Sequence, residues 1–228
     1  GVVLAPLFLA LVYLEFPYFH GLVAAIAGVI AWEFVRMDGK TGAKRRSLIL
    51  GAALAAVVAM AAGAPLPALA AIALASFALI AADQMAGRKG LNLLQIAVVY
   101  TAVPAVSVLY VMAVGGSLSV FWLLAVVWAT DIGAYACGRT IGGPKLAPSI
   151  SPNKTWSGAL GGLISAALAS TGLLLWGYGL QPMVGIVAAA FGLSVLSQVG
   201  DLFESALKRR YHVKDSGNLI PGHGGLMD

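Results

Sequence analysis

Residues 52–62 read AALAAVVAMAA. A strand of a membrane β-barrel would alternate apolar and polar side chains over about ten residues, and this run does not alternate. It reads as helix with apolar surroundings on every side. The composition extends that reading to the whole chain: of 228 residues, 60% are hydrophobic and 10% charged, and the mean hydropathy is +0.92. Those values lie outside the range of soluble globular domains and inside that of membrane proteins. The bilayer is therefore the main solvent, and helices or a closed barrel are the two ways to span it.

A spanning helix needs roughly 20 mostly apolar residues, and on that count the sequence predicts about eight spans. They cover about 2–19, 21–36, 47–63, 66–85, 92–114, 118–138, 157–176 and 183–205. The fold class expected is all-α, a polytopic transmembrane helical bundle. The net charge of +5 and a pI near 9.5 would suit nucleic acid, but the positions of the charges argue against it. All 14 Lys and Arg follow the second, fourth, sixth and eighth expected spans. They are Arg36, Lys40, Lys44, Arg45 and Arg46; Arg88 and Lys89; Arg139, Lys145 and Lys154; and Lys208, Arg209, Arg210 and Lys214. This is the positive-inside pattern. It predicts an integral membrane protein with both chain ends and the active surface facing the cytoplasm, in the inner membrane if the source is bacterial, and no nucleic-acid partner.

The single cysteine, Cys137, has no internal disulfide partner and falls at the reducing, cytoplasmic end of the sixth span. Residues 2–19 lack the basic start and small-residue cleavage site of a signal peptide, and the missing initiator Met leads us to expect further residues upstream. Residues 1–90 are expected to be scaffold helices, with Ala-rich spans whose small side chains suit close packing and a homodimer. Residues 91–228 are expected to be the catalytic region, with cytoplasmic loops at 139–156 and 206–228. No stretch outside the membrane is long enough to build its own core, so chemistry must be done by helix ends and short loops. Pro104 predicts a kink in the fifth span.

The polar residues gather in the second half. Ser194, Ser197, Gln198, Asp201, Ser205 and Lys208 recur at spacings of three and four, which stacks them on one helical face. Such a stripe lines a polar cavity or forms a solvated helix end. Asp131 lies well inside the sixth span, where a carboxylate is a functional candidate by default; the alternative is a hydrogen-bonded Asp that holds two helices together. Gly133 and Gly138 allow a second backbone to come close under either reading.

The loop GRTIGGPKLAPSISPNKTWSG, 138–158, combines Arg139, Lys145 and Lys154 with glycines and the hydroxyls of Ser149, Ser151, Thr155 and Ser157. That mixture suits polyphosphate or a basic loop held against anionic headgroups. The terminal segment KRRYHVKDSGNLIPGHGGLMD, 208–228, adds Asp215 and Asp228 as hard oxygen ligands, with His212 and His223. Carboxylates beside phosphate-binding lysines point to Mg²⁺, which one or two carboxylates hold together with substrate phosphates. Zinc is disfavoured, because no cysteine lies near the histidines.

These residues carry a resemblance. The segment SALKRRYHVKDSGNLIPGHGGLMD, 205–228, resembles the signature of the phosphatidate cytidylyltransferase (CDP-diacylglycerol synthase) family, S-x-x-K-R-x4-K-D-x-G-x2-[aliphatic]-P-G-H-G-G-x-x-D. SPNKTW at 151–156 is similar to the family's S-P-K-K-T-W-E-G, and GDLFES at 200–205 also looks typical. Asn153 and Ser157 depart from that pattern, standing where Lys and Glu are common. The sequence stops at Asp228, where the family continues with Arg, a further Asp and a last membrane helix, so a ninth span is expected in the intact protein.

The resemblance implies transfer of a cytidylyl group from CTP to phosphatidic acid, giving CDP-diacylglycerol and pyrophosphate, with membrane lipids as surroundings. It implies catalytic roles for Asp201, Lys208, Asp228 and Asp215, with Asp201 and Asp228 holding Mg²⁺ and a second cation left open. Ser151, Lys154, Thr155 and Asp131 are implied on the nucleotide side. Arg209, Lys214 and His223 are implied at the lipid phosphate. Two rivals fit less well. A transporter using Asp131 and Asp201 as ion sites should show two similar halves, which the sequence lacks. A CDP-alcohol phosphotransferase should carry D-G-x2-A-R-x8-G-x3-D-x3-D, which is missing.

Overall fold

A computed structural model describes residues 4–38, 43–85, 93–177, 179, 183–217, 219 and 224–228. Along these residues run α1 (Leu4–Tyr13), α2 (Tyr18–Asp38), α3 (Ala43–Ala61), α4 (Pro65–Met85), α5 (Leu93–Thr140), α6 (Trp156–Gly172) and α7 (Val184–Arg210). A π-helical stretch, Leu173–Gly177, prolongs α6, and β1 (Lys145–Ala147) pairs antiparallel with β2 (Ser151–Thr155). The fold is helical as expected. The hairpin is an addition that the sequence reading had taken for loop.

Among the described residues, five helical segments are long and apolar enough to cross a membrane: Tyr18–Met37, Pro65–Met85, Ala97–Thr140, Trp156–Gly177 and Val184–Arg210. They make the chain an integral membrane protein. The eight expected spans are not matched one for one. The expected first span corresponds to α1, whose 10 residues reach about 15 Å at 1.5 Å per residue, half the hydrocarbon thickness. The expected third is represented by the shorter apolar segment Ser47–Ala61. The fifth and sixth both fall in α5. Its 48 residues are two helices joined at a break, which falls in the gap expected between those two spans. The departure from helical dihedrals falls at Gly116 (φ 65°, ψ −171°) and not at Pro104. Proline's fixed φ still fits a helix, whereas the combination of φ and ψ at Gly116 lies in a region that is essentially glycine's alone.

The chain divides into two compact units, Gly1–Val120 with Val213–Asp228, and Phe121–His212. In the first, α3 packs against α2 and α4 around buried Phe19, Phe34, Ile49, Val57 and Leu79. Small residues such as Ala52, Ala53, Ala56 and Ala68 are buried here too, so the Ala-rich helices approach closely. The turn between α3 and α4 is set locally. Gly63 (φ 71°) donates to Met60 O at 3.0 Å and Ala64 donates to Ala59 O at 2.9 Å, the paired bonds of a Schellman ending. Pro65 then opens α4, where its missing N–H costs nothing.

The second unit comprises the end of α5, the hairpin, α6 and α7. Val126, Ala166 and Ala190 form its buried centre, flanked by Trp122 and Leu193. The glycines let α5 and α6 meet backbone to backbone. A Cβ on Gly158 would lie 2.7 Å from Ala134 O, one on Gly161 2.9 Å from Gly133 O, and one on Gly162 3.0 Å from Thr130 O. The close approach expected at Gly133 and Gly138 is therefore present, with α6 as the neighbour. Polar pairs cross the same unit: Trp122 Nε1 donates to Ser170 Oγ at 2.9 Å, and Thr130 Oγ1 lies 3.0 Å from Ser194 Oγ.

Candidate active site

Three elements of the second unit bring charge together. β2 supplies Lys154 and α7 supplies Asp201, and their side chains form an ion pair. Asp131 of α5 lies within electrostatic reach of both. The carboxylates are exposed, and Asp201 keeps 56% of its side-chain surface against 25% for Lys154. Where such an exposed pair meets water it contributes about 0.2–1 kcal/mol.

The stripe foreseen on the last helix faces protein over part of its length. Ser194 is buried against Thr130, and Gln198 Nε2 donates to Ala159 O at 3.3 Å. One turn on, Asp201 meets Lys154. Lys208 is two turns further along α7 and pairs with Glu204 at 2.9 Å, one turn back. Lys208, Arg209 and Arg210 occupy the last turn, where positive charge complements the helix dipole. Arg209 is exposed.

The segment SPNKT, expected as part of a loop, is strand β2. Its pairing sets Lys145 opposite Thr155 and Ala147 opposite Ser151, and Trp156 N donates to Pro144 O at 3.1 Å to close the base of the hairpin. Thr155 then caps α6: its backbone is extended and its Oγ1 accepts from Gly158 N at 3.1 Å. Ser157 Oγ lies 3.0 Å from that oxygen and donates to Gly142 O. The strand thus leads a lysine, a capped helix start and a glycine loop to one place, and Ser151 stands at the strand's first position.

The remaining candidates belong to the first unit. Lys214 and Asp215 are exposed on the terminal segment. Asp228 Oδ2 accepts from Ser216 N at 2.7 Å, Ser216 Oγ at 2.8 Å and Gly225 N at 2.8 Å. His223 lies outside the described residues, as do Lys40, Arg88 and Lys89 of the charge pattern. Sequence reasoning missed Glu33, which is fully buried in α2 and receives the same terminal segment. A lone carboxylate within the apolar stretch of α2 was the available signal.

No three His, Cys, Asp or Glu side chains among the described residues form a ready cage for a metal ion. That donor set fits Mg²⁺, which needs one or two carboxylates and takes its other ligands from water and phosphate. Asp201 is suited to it as an exposed, hard oxygen donor beside a lysine.

A sequence profile described as the cytidylyltransferase family matches residues 1–228. A phosphatidate cytidylyltransferase of Brucella suis is 54% identical over 114 residues, covering 50% of this chain and 42% of the relative. Its namesake from Bacillus subtilis is 47% identical over 113 residues, covering 50% and 42%. That of Haemophilus influenzae is 40% identical over 117 residues, covering 50% and 41%. The match spans less than half the length of these relatives.

Proposed function

This chain belongs to the cytidylyltransferase family, and from that premise we propose that it transfers a cytidylyl group from CTP to phosphatidic acid at the cytoplasmic leaflet. An oxygen of the lipid phosphate attacks the α-phosphorus of CTP. The bond from that phosphorus to the bridging oxygen breaks, and pyrophosphate leaves with the electron pair. The attacking phosphate is already ionised at neutral pH, so the reaction needs no strong general base. It needs relief of repulsion between two polyanions, through preorganised positive charge.

The Lys154–Asp201 pair beside Asp131 carries this reading. Without substrate each charge holds the other in place. When nucleotide arrives, Lys154 turns to its phosphates, and Asp201, freed of that pair, would hold the Mg²⁺ ion. Ser151 and Thr155 frame the nucleotide side, with Thr155 acting through the cap it gives α6, and Asp131 orients Lys154. Lys208 and Lys214 contact phosphate, and Arg209 and His223 serve the lipid headgroup. Asp201 and Asp228 are the proposed Mg²⁺ ligands, with Asp215 third. When bound, the ion neutralises charge on the phosphates and on the departing pyrophosphate. The cytoplasmic assignment is supported by the cationic helix ends at Arg36, Arg139 and Lys208–Arg210, which match the positive-inside rule.

The test is turnover of the full-length protein in phosphatidate-containing micelles with CTP, dCTP, ATP or GTP. Lipid product is expected with the cytidine nucleotides and Mg²⁺, and none after chelation. Equal use of ATP, or turnover indifferent to EDTA, would overturn the assignment.

A further inference from the structure

Glu33 is 0% exposed, on an apolar helix, and among the described residues no lysine or arginine pairs with it. A carboxylate removed from water costs several kcal/mol unless its oxygens are satisfied. In the first unit the terminal segment satisfies them. Oε1 accepts from Leu226 N at 2.8 Å, and Oε2 from Met227 N at 2.8 Å and Ser216 Oγ at 3.3 Å. The two ends of this contact are separated by more than 180 residues of sequence.

The surroundings are shaped to this carboxylate. A Cβ on Gly225 would lie 2.6 Å from Glu33 Oε1, and one on Gly217 would lie 3.1 Å from it. No larger residue fits at Gly225 without displacing the carboxylate. Ser216 is the link onward. Its hydroxyl lies between Glu33 and Asp228, and its N–H and that of Gly225 both point at Asp228 Oδ2. Fixing the segment on Glu33 therefore also fixes the direction of the Asp228 carboxylate.

We propose that Glu33 is a positioning residue for the reaction: it anchors Ser216, Leu226 and Met227 to α2 and, through Ser216, holds Asp228 in its working orientation. This rests on the reading of Asp228 as a Mg²⁺ ligand. Glutamine cannot replace Glu33, because the amide offers one acceptor oxygen and one donor. Whichever way it turns, either Leu226 N–H or Met227 N–H meets another N–H.

The experiment compares full-length wild-type, Glu33→Gln and Ser216→Ala proteins by hydrogen exchange and by steady-state kinetics across a Mg²⁺ titration. In Glu33→Gln, amides of the terminal segment are expected to exchange roughly tenfold faster or more, since a bond to a charged acceptor is lost, while α6 keeps its protection. The kcat falls and half-maximal activity needs more Mg²⁺, with KM for CTP little changed. A merely structural defect would lower the amount of active protein and leave the Mg²⁺ requirement alone. Unchanged exchange in the segment, or an unchanged Mg²⁺ requirement, overturns the proposal. Should Glu33→Gln not fold, Ser216→Ala decides: it must raise the Mg²⁺ requirement, and a wild-type requirement refutes the link. Inactivity of the wild type with CTP and phosphatidate would refute the cytidylyl-transfer reading by itself, because exchange still reports whether Glu33 anchors the segment.

Discussion

Asp201→Asn separates what the Lys154–Asp201 pair does for stability from what it does for chemistry. The substitution keeps the shape and one acceptor oxygen but removes the charge. Asp201 is 56% exposed and Lys154 25%, and an exposed pair that meets water contributes about 0.2–1 kcal/mol. The folded protein should therefore survive, with thermal unfolding in detergent displaced only slightly. Turnover should respond on another scale. Losing a direct ligand for the ion that offsets phosphate charge is expected to lower kcat by about 10³-fold or more, about 4 kcal/mol of transition-state stabilisation. Labelled CTP and phosphatidate give the rate, and a melting curve gives the stability. An Asp201→Asn protein within tenfold of the wild-type rate would remove Asp201 from the metal site. A large loss of stability would show instead that the pair is structural.

Three further outcomes follow from the second unit and from the break in α5. Thr155→Ala removes the cap of α6 and should destabilise the protein by about 1 kcal/mol, lowering the unfolding midpoint and raising KM for CTP, whereas Thr155→Ser should restore both. Gly161→Ala would drive a Cβ into Cys137 and to 2.9 Å from Gly133 O, an overpacking worth about 1–3 kcal/mol; Gly192→Ala, with nothing within 4 Å, should melt no lower than wild type. Gly116→Ala places a side chain at φ 65°, ψ −171°, a region essentially restricted to glycine, and should cost about 1–3 kcal/mol, read again from the unfolding midpoint.

Helicity was legible because long apolar runs permit few other structures in lipid, and a close backbone approach at Gly133 and Gly138 was legible from the glycines themselves, although not that α6 is the neighbour. The polar face of α7 could be read from spacing alone as far as Ser194, Gln198 and Asp201, since a helix fixes which side chains share a side. What occupied the facing surface could not. The partner of Asp201 is a lysine from a five-residue strand that contains a proline, a composition carrying almost no strand signal. Glu33 escaped for a different reason. It stands in WEFVRMD, close enough to Arg36 and Asp38 to pass for a charged helix end, and its donors are two backbone N–H groups and a serine hydroxyl near the other end of the sequence. Backbone donors have no residue-type signature. The break at Gly116 lies in the gap expected between the fifth and sixth spans, but its positive φ depends on tertiary demand and has no signal beyond the glycine pair itself.

The most direct measurement follows two labels in CTP through the reaction with phosphatidate in the full-length protein. Label at the α-phosphorus should enter the lipid extract, and label at the γ-phosphorus should appear in aqueous pyrophosphate in equal amount. Label from the γ-phosphorus in the lipid, or α-label that stays in the water phase while phosphatidate is consumed, would contradict cytidylyl transfer.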